Sequence, residues 1–272
     1  KMKIIKLLTI IKSSMAILNF LRSTVLSKIV MATTGVLLLL FIIGHLVGNL
    51  QIYLGPEPLN TYAQFLKSIG EILWIVRIVL FVSLILHIIT SLYLSSINSA
   101  AKPVKYQVVN YAKAKINSRS MLVTGIMIFA FVTYHLLHFT FGITNPEDYA
   151  HHELTVKKAY VLPGNVSEEQ LKSMPKDCFV EQNILTERHD VYKMVVLGFR
   201  NPFISLAYIV AVVLLGFHLS HAIKSCFHTL GVTGPKFTPW MERCSTIFSI
   251  IITLLYISIP ISVLLGLVGG AV

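Results

Sequence analysis

The sequence predicts an all-α integral membrane protein, in which five transmembrane helices form a single bundle. Hydrophobic residues make up 55% of the 272 residues and charged residues only 13%, and the mean hydropathy is +0.74. This composition is too apolar for a soluble domain of this size. Helices are expected because they satisfy every backbone polar group within the segment, as a lipid environment requires.

Five apolar stretches are long enough to cross a hydrocarbon core of about 30 Å, which takes about 20 residues of helix. We expect the spans at residues 29–54, 72–97, 120–143, 202–230 and 245–270. They form one membrane domain over residues 1–272, with no second core and no internal repeat.

The first 28 residues form a basic, amphipathic segment that we expect to lie on the membrane surface. Lys6 and Lys12 interrupt its apolar run, and no small-residue cleavage pattern follows before the first span. Both features argue against a signal peptide.

The net charge of +11 is unevenly distributed along the chain. Lysine and arginine predominate before the first span, between the second and third, and between the fourth and fifth, whereas residues 144–199 carry nine acids against six bases. This alternation is the positive-inside pattern, so it predicts a cytoplasmic N-terminus. The basic segments are then expected to face anionic lipid or a docked partner rather than nucleic acid.

The outer connection, residues 144–199, is too long for a simple turn. A capping box at Ser167, Glu168, Glu169 and Gln170 predicts one short helix, and Asp190 is a candidate cap for another. Asn201 and Pro202 are expected to begin the fourth span.

Three cysteines, Cys178, Cys226 and Cys244, are scattered along the chain. They form no CxxC motif, no iron–sulfur spacing and no disulfide framework. We interpret them as small buried or idle thiols.

Each of the first four spans carries a histidine deep within the apolar segment: His45, His87, His135 and His218. Ionisable side chains at that depth are costly and usually functional, and imidazole is an axial ligand of haem iron. Because successive spans run in opposite directions, His45 and His135 fall in the outer half and His87 and His218 in the inner half. Two levels separated by roughly 12 to 14 Å suit two stacked b haems within the bundle.

Two further histidines, His138 and His221, lie one helical turn nearer the surface than His135 and His218. We favour His135 because His138 would be out of level with His45, and by analogy we favour His218. The extra pair are candidates for contacts to a propionate or a quinone, or for facing the bundle. A zinc site is disfavoured because no carboxylate or cysteine accompanies either HxxH pair.

Gly35 and Gly125 each precede a histidine by ten residues. They could make room for a macrocycle, or they could serve ordinary close packing of helices.

Several longer motifs resemble the five-helix, diheme cytochrome b membrane anchor of succinate:quinone oxidoreductases, a family that includes quinol:fumarate reductases. The resemblance covers nearly the whole chain. Its motifs are TGVLLLLFIIGHLVGNLQIYLGPEPLNTYAQFL, LILHIITSLYL, GIMIFAFVTYHLLHFTF, HDVYKMVVLGFRNP and LLGFHLSHAIKSCFHTLGV.

The resemblance implies that His45, His87, His135 and His218 are the haem iron ligands, paired as the depths predict. It also implies a flavoprotein and an iron–sulfur protein as partner subunits, a bacterial cytoplasmic membrane, and menaquinone or ubiquinone as membrane substrate. The chain has no motif for binding flavin or an iron–sulfur cluster. Alone, it would therefore not oxidise succinate, but would pass electrons between the iron–sulfur subunit, the inner haem, the outer haem and quinone.

Polar residues near the predicted haems are candidates for quinone and propionate contacts. They are Asn49, Gln51, Glu71 and His138 on the outer side, and Ser27, Lys28, Arg119 and His221 on the inner side. Arg22, Lys28, Lys224 and His228 are candidate propionate partners, with snorkelling to the interface as the other role for the cations.

Two alternatives remain at this stage. The chain could be the cytochrome b subunit of a hydrogenase or a formate dehydrogenase, which would keep the haems and change the partner. It could also be a haem-free transporter or channel whose histidines relay protons.

Overall fold

The computed structural model of the chain describes residues 23–101, 120–161 and 180–270. Three predicted features therefore lie outside the described residues. They are the basic segment before Ser23, the basic connection that contains Arg119, and the capping box at 167–170. Arg22 and Cys178 also lie outside them.

Five of the described helices are long and apolar enough to cross a membrane, which confirms the predicted multi-pass helical character. In chain order they are α1 (Thr24–Leu50, extended by a 3-10 turn, Gln51–Leu54), α3 (Glu71–Ala100), α4 (Met121–His135, extended by a π-helical turn, Leu136–Thr140), α7 (Pro202–Thr229) and α8 (Phe237–Leu264). Shorter helices lie between them: α2 (Pro56–Ser68), α5 (Pro146–Tyr149) and α6 (Val191–Arg200).

The last span, α8, differs most from its predicted range of 245–270. It begins earlier, at Phe237, and therefore includes Glu242, whose carboxylate lies 3.3 Å from the ammonium of Lys224 on α7. It ends earlier because Gly266 adopts a φ of 69°. The N–H of Leu267 then donates to the carbonyl of Ser262 (2.9 Å), as in a Schellman motif.

The most extensive packing between spans is that of α7 with α8 and of α1 with α3, followed by that of α4 with α7. Helix α7 also contacts α1. Tyr256 on α8 donates from its hydroxyl to the carbonyl of Ile42 on α1 (2.7 Å), so the fifth span is tied to the first.

The connection of residues 144–199 contains a two-stranded antiparallel sheet that the all-α prediction did not include. The terms outer and inner follow the predicted orientation of the spans. Strand β1 (His152–Val161) pairs with β2 (Val180–His189), and the register places His152 opposite His189. The segment HELTVKKAYV has the alternating apolar and polar residues of a strand. The length and acidity of this connection do not predict a strand, whereas the alternation of apolar and polar residues does.

Helix α6 is the helix for which Asp190 is the predicted cap. The Asp190 carboxylate accepts from the N–H of Lys193 (3.0 Å), which confirms the predicted cap. Asn201 accepts from the N–H groups of Phe203 and Ile204 at the start of α7, which confirms the predicted beginning of the fourth span. Val196 and Phe199 are buried within a core at the outer end of the bundle.

Candidate functional site: two layers of histidines

The outer layer consists of His45 on α1 and His135 on α4. Their imidazole rings meet edge to face, with centroids 5.8 Å apart and planes at 82°. Phe41 stacks on His45 at 5.3 Å, and the ring of Tyr208 lies 5.8 Å from that of His135. The two imidazoles thus face each other within an aromatic shell.

Regular α-helix ends at His135, and the next five residues form the π-helical turn. Such single turns widen a helix locally and occur frequently at functional sites. His138 lies in this turn and its ring packs against Gly198 on α6, whereas the ring of His135 meets that of His45.

The inner layer consists of His87 on α3 and His218 on α7, and each ring contacts a threonine on a helix that carries an outer histidine. Nδ1 of His87 lies 3.1 Å from the carbonyl oxygen of Met31 and 3.2 Å from Oγ1 of Thr34. Nδ1 of His218 lies 3.2 Å from Oγ1 of Thr124. In both rings Nδ1 is engaged by the neighbouring helix.

In both α1 and α4, the same number of residues separates the outer histidine from the position that contacts an inner histidine. His87 packs against Thr34 and Gly35, ten residues before His45, and His218 packs against Thr124 and Gly125, ten residues before His135. Ten residues of helix rise about 15 Å. The structure therefore places the four histidines in two layers about this far apart.

This arrangement corrects the expectation of no internal repeat. The motif T-G-x9-H occurs at Thr34–Gly35 to His45 and again at Thr124–Gly125 to His135. Each copy supplies one outer histidine and the contact surface of one inner histidine. The repeat is short, and the intervening residues share little beyond their apolar character, which is why it was missed.

The residues present fit an iron–porphyrin ligand set. Nδ1 of His135 is buried and has no hydrogen-bond partner among the described residues. In the inner pair Nδ1 is engaged, which leaves the lone pair of Nε2 for a metal. A Cβ at Gly35 would lie only 3.3 Å from Cε1 of His87, so a larger residue would crowd that ring. The described residues contain no group of three or more side chains that could hold a metal ion.

The second histidine of each HxxH pair has different surroundings from the first. His138 is 2% exposed, its ring stacks on Phe139 at 3.9 Å, and its Nδ1 lies 3.0 Å from the Tyr208 hydroxyl. Its ring faces Gly198 on α6. His221 is half-buried and lies near Lys224. Among the described residues, the ring of His138 does not contact that of His45, and the ring of His221 does not contact that of His87.

The outer quinone candidates are spread along the outer ends of the spans. Gln51 begins the 3-10 turn after α1 and is half-buried, as is Asn49. Glu71 is exposed at the first position of α3. The structure does not bring these residues together with His138.

The inner candidates lie at the opposite end of α1 and near the end of α7. Ser27 is buried and Lys28 exposed in the first turns of α1, and His228 is exposed in the last turn of α7. Lys224 forms the ion pair with Glu242, so its charge is already partnered.

A polar cluster fastens the hairpin to the outer end of the bundle. The guanidinium of Arg188 donates to Glu57 on α2 and, over 2.6 Å, to Glu153 on β1. The hydrogen bond from Arg188 holds the pKa of the Glu57 carboxyl below its usual range. Burial lowers the pKa of His189, whose Nε2 donates to the carbonyl of Tyr149.

Several residues that contact the histidines were not predicted, among them two threonines and two tyrosines. Thr34 and Thr124 could have been found from the T-G-x9-H repeat. Tyr208 and Tyr256 had no signal, because a tyrosine on an apolar helix does not reveal which neighbour it faces. Tyr256 approaches His45, with ring centroids 6.4 Å apart.

No family model, curated protein or solved structure matches the chain.

Proposed function

We propose that this chain is a diheme cytochrome b membrane anchor of a succinate dehydrogenase or fumarate reductase complex. The observation that carries the proposal is the arrangement of four histidines from four different spans in two layers. Two imidazoles at one level are the ligand set of a six-coordinate b haem. Two such levels in one membrane bundle support a path for electrons across it.

In this proposal His45 and His135 hold the outer haem, and His87 and His218 hold the inner haem. The haems would supply reversible one-electron transfer. The protein residues orient the ligand rings, and the aromatic side chains of Phe41, Tyr208 and Tyr256 limit water around the outer pair.

The partners and the substrate follow from the proposed family. Electrons would enter at the cytoplasmic face from an iron–sulfur subunit, itself reduced by a flavoprotein, and leave to a membrane quinone. Ser27 and Lys28 on the inner side, and Gln51, Glu71 and Asn49 on the outer side, are the residues we propose to test for quinone contact. Surrounding lipid completes the environment, because the spans expose large apolar side chains such as Leu40, Phe81 and Leu254.

The test is a haem assay on the detergent-purified chain together with the subunits that accompany it. We expect two b haems per chain and two components in reduced-minus-oxidised spectra. Succinate should reduce at least one of them. A preparation without haem would reject the proposal and favour the proton-relay alternative.

Single substitutions then assign the ligands. His87→Leu or His218→Leu should remove the inner haem alone, and His45→Leu or His135→Leu the outer haem alone. The matched controls are His221→Leu and His138→Leu, which should retain both haems. If a control variant loses a haem that is kept when the other histidine of the same HxxH pair is replaced, the ligand has been assigned to the wrong histidine.

The co-purifying subunits distinguish the proposal from the closer alternative. Mass spectrometry should identify a flavoprotein and an iron–sulfur protein, and the complex should oxidise succinate with quinone. A nickel- or molybdenum-containing partner would instead indicate a hydrogenase or formate dehydrogenase.

A further inference from the structure

We propose that Thr34 and Thr124 are positioning residues for the inner ligands His87 and His218, and that Thr124 has the larger effect. This inference rests on the proposed function, since it concerns the orientation of haem ligands. Both threonines are buried, with 6% and 5% of their surface exposed. Both lie in the T-G-x9-H repeat, on helices other than those of the histidines that they contact.

The direction of each hydrogen bond follows from the threonine hydroxyl. Thr34 Oγ1 lies 2.7 Å from the carbonyl of Val30, and Thr124 Oγ1 lies 3.1 Å from the carbonyl of Ser120. A carbonyl can only accept, so each hydroxyl proton is used within its own helix. The hydroxyl oxygen then accepts from the Nδ1–H of the facing histidine. This fixes the tautomer whose Nε2 lone pair is free to bind metal.

The two inner histidines differ in how many acceptors they have. Nδ1 of His87 faces both Thr34 Oγ1 and the Met31 carbonyl, at 3.2 and 3.1 Å. Nδ1 of His218 has only Thr124 Oγ1 as a partner among the described residues. Loss of the Thr34 hydroxyl would leave His87 a backbone acceptor. Loss of the Thr124 hydroxyl would leave the N–H of His218 unsatisfied.

The outer layer differs from the inner layer in this hydrogen bond to Nδ1. Nδ1 of His135 has no hydrogen-bond partner in the described part of the chain. An acceptor on Nδ1 makes imidazole a more basic ligand, which stabilises the ferric state relative to the ferrous state. The threonines therefore lower the midpoint potential of the inner haem, and their removal should raise it.

The experiment compares Thr124→Val and Thr34→Val in the purified complex. Valine keeps the shape of threonine but cannot accept a hydrogen bond. Changes to a residue that hydrogen-bonds a metal ligand alter metal affinity by roughly 10- to 100-fold. For a one-electron couple, a tenfold change in the ratio of ferric to ferrous affinity corresponds to about 59 mV. We expect the inner haem of Thr124→Val to move upward by about that amount, and that of Thr34→Val by less.

Two controls separate positioning from general damage. Thr124→Ser keeps the hydroxyl and should restore the potential. Thr133→Val removes an exposed hydroxyl that also donates within its own helix, to the carbonyl of Phe129 (3.0 Å), but contacts no histidine in the described residues. It should leave both potentials unchanged.

The outcomes distinguish this inference from the proposed function. No haem in the unmodified chain would reject the proposed function. Two haems with unchanged potentials in both valine variants would reject only the role of the threonines. If Thr124→Val loses the inner haem altogether, retention of the outer haem and rescue by serine support the inference. Failure of serine to rescue overturns it.

Discussion

The hydroxyl of Tyr208 lies 3.0 Å from Nδ1 of His138, in the buried outer end of the bundle. This contact gives His138 a structural partner on α7, whereas His135, one turn earlier, faces His45 on α1. The ring of His135 also lies 5.8 Å from that of Tyr208, but the Tyr208 hydroxyl is directed to Nδ1 of His138. The contact between the rings of His45 and His135 supports the choice of His135 over His138 as the proposed ligand.

Tyr208→Phe should destabilise the protein, because it leaves Nδ1 of a fully buried histidine without its partner. A buried polar group left unsatisfied costs about 1 to 3 kcal/mol. We expect a lower midpoint of thermal unfolding, with both haems still bound below it. Tyr134→Phe is the matched control. Its ring lies 5.6 Å from that of His138, but its hydroxyl makes no hydrogen bond with the described residues. Equal shifts in the two variants would contradict the role assigned to the Tyr208 hydroxyl.

Gly198→Ala tests the close packing of α6 on the same histidine. A Cβ at this position would lie 3.1 Å from both Cε1 and Nε2 of His138 and 3.2 Å from Phe139. Overpacking in such a core costs about 1 to 3 kcal/mol, against a gain in helix propensity of about 0.5 to 1 kcal/mol. We expect a net loss of thermal stability. Gly44→Ala meets nothing within 4 Å and should be neutral or slightly stabilising. A neutral Gly198→Ala would mean that α6 can shift away from His138.

The number of spans and two of the helix starts could be predicted because their signals are local. Five apolar runs give five helices, and Asp190 and Asn201 cap α6 and α7 through hydrogen bonds to residues two or three positions later. Such contacts involve only neighbouring residues. The sequence therefore contains nearly everything needed to predict them.

The hairpin and the threonine contacts depend on residues that are distant in sequence. Arg188 on β2 contacts Glu57, 131 positions earlier in the chain, and Thr124 contacts His218 on another span. The sequence around each residue does not show which distant residue it contacts. The levels of the histidines were predictable because span direction and rise per residue are fixed, but the neighbour of each ring depends on how the helices pack.

The two repeat glycines should differ in their tolerance of alanine. A Cβ at Gly35 would lie 3.3 Å from Cε1 of His87, tighter than most such contacts, whereas a Cβ at Gly125 would lie 3.7 Å from Cε1 of His218, an ordinary distance. Gly35→Ala should therefore displace its histidine and reduce the amount of inner haem per chain. Gly125→Ala should retain the inner haem. Equal retention in the two variants would show that α1 and α3 can move apart without cost.

Docking of the hairpin should weaken in acid through Glu57. Its pKa in the folded protein is lowered by the hydrogen bond from Arg188, so the stabilisation is fully present above the unfolded-state pKa. It is lost as the pH falls through the lower, folded-state pKa. The effect is modest because the side chain of Glu57 is 71% exposed.

Glu57→Gln provides the test of this linkage. At pH 7 the variant should show faster amide exchange than the unmodified protein at Thr155 and Thr186, which face each other in the hairpin. The difference should shrink as the pH falls below the ordinary glutamate pKa of about 4.3. Glu147→Gln is the control, since that carboxylate makes no hydrogen bond or ion pair with the described residues, and it should exchange like the unmodified protein. A difference between Glu57→Gln and the unmodified protein that persisted unchanged in acid would mean that the charge of Glu57 does not hold the hairpin.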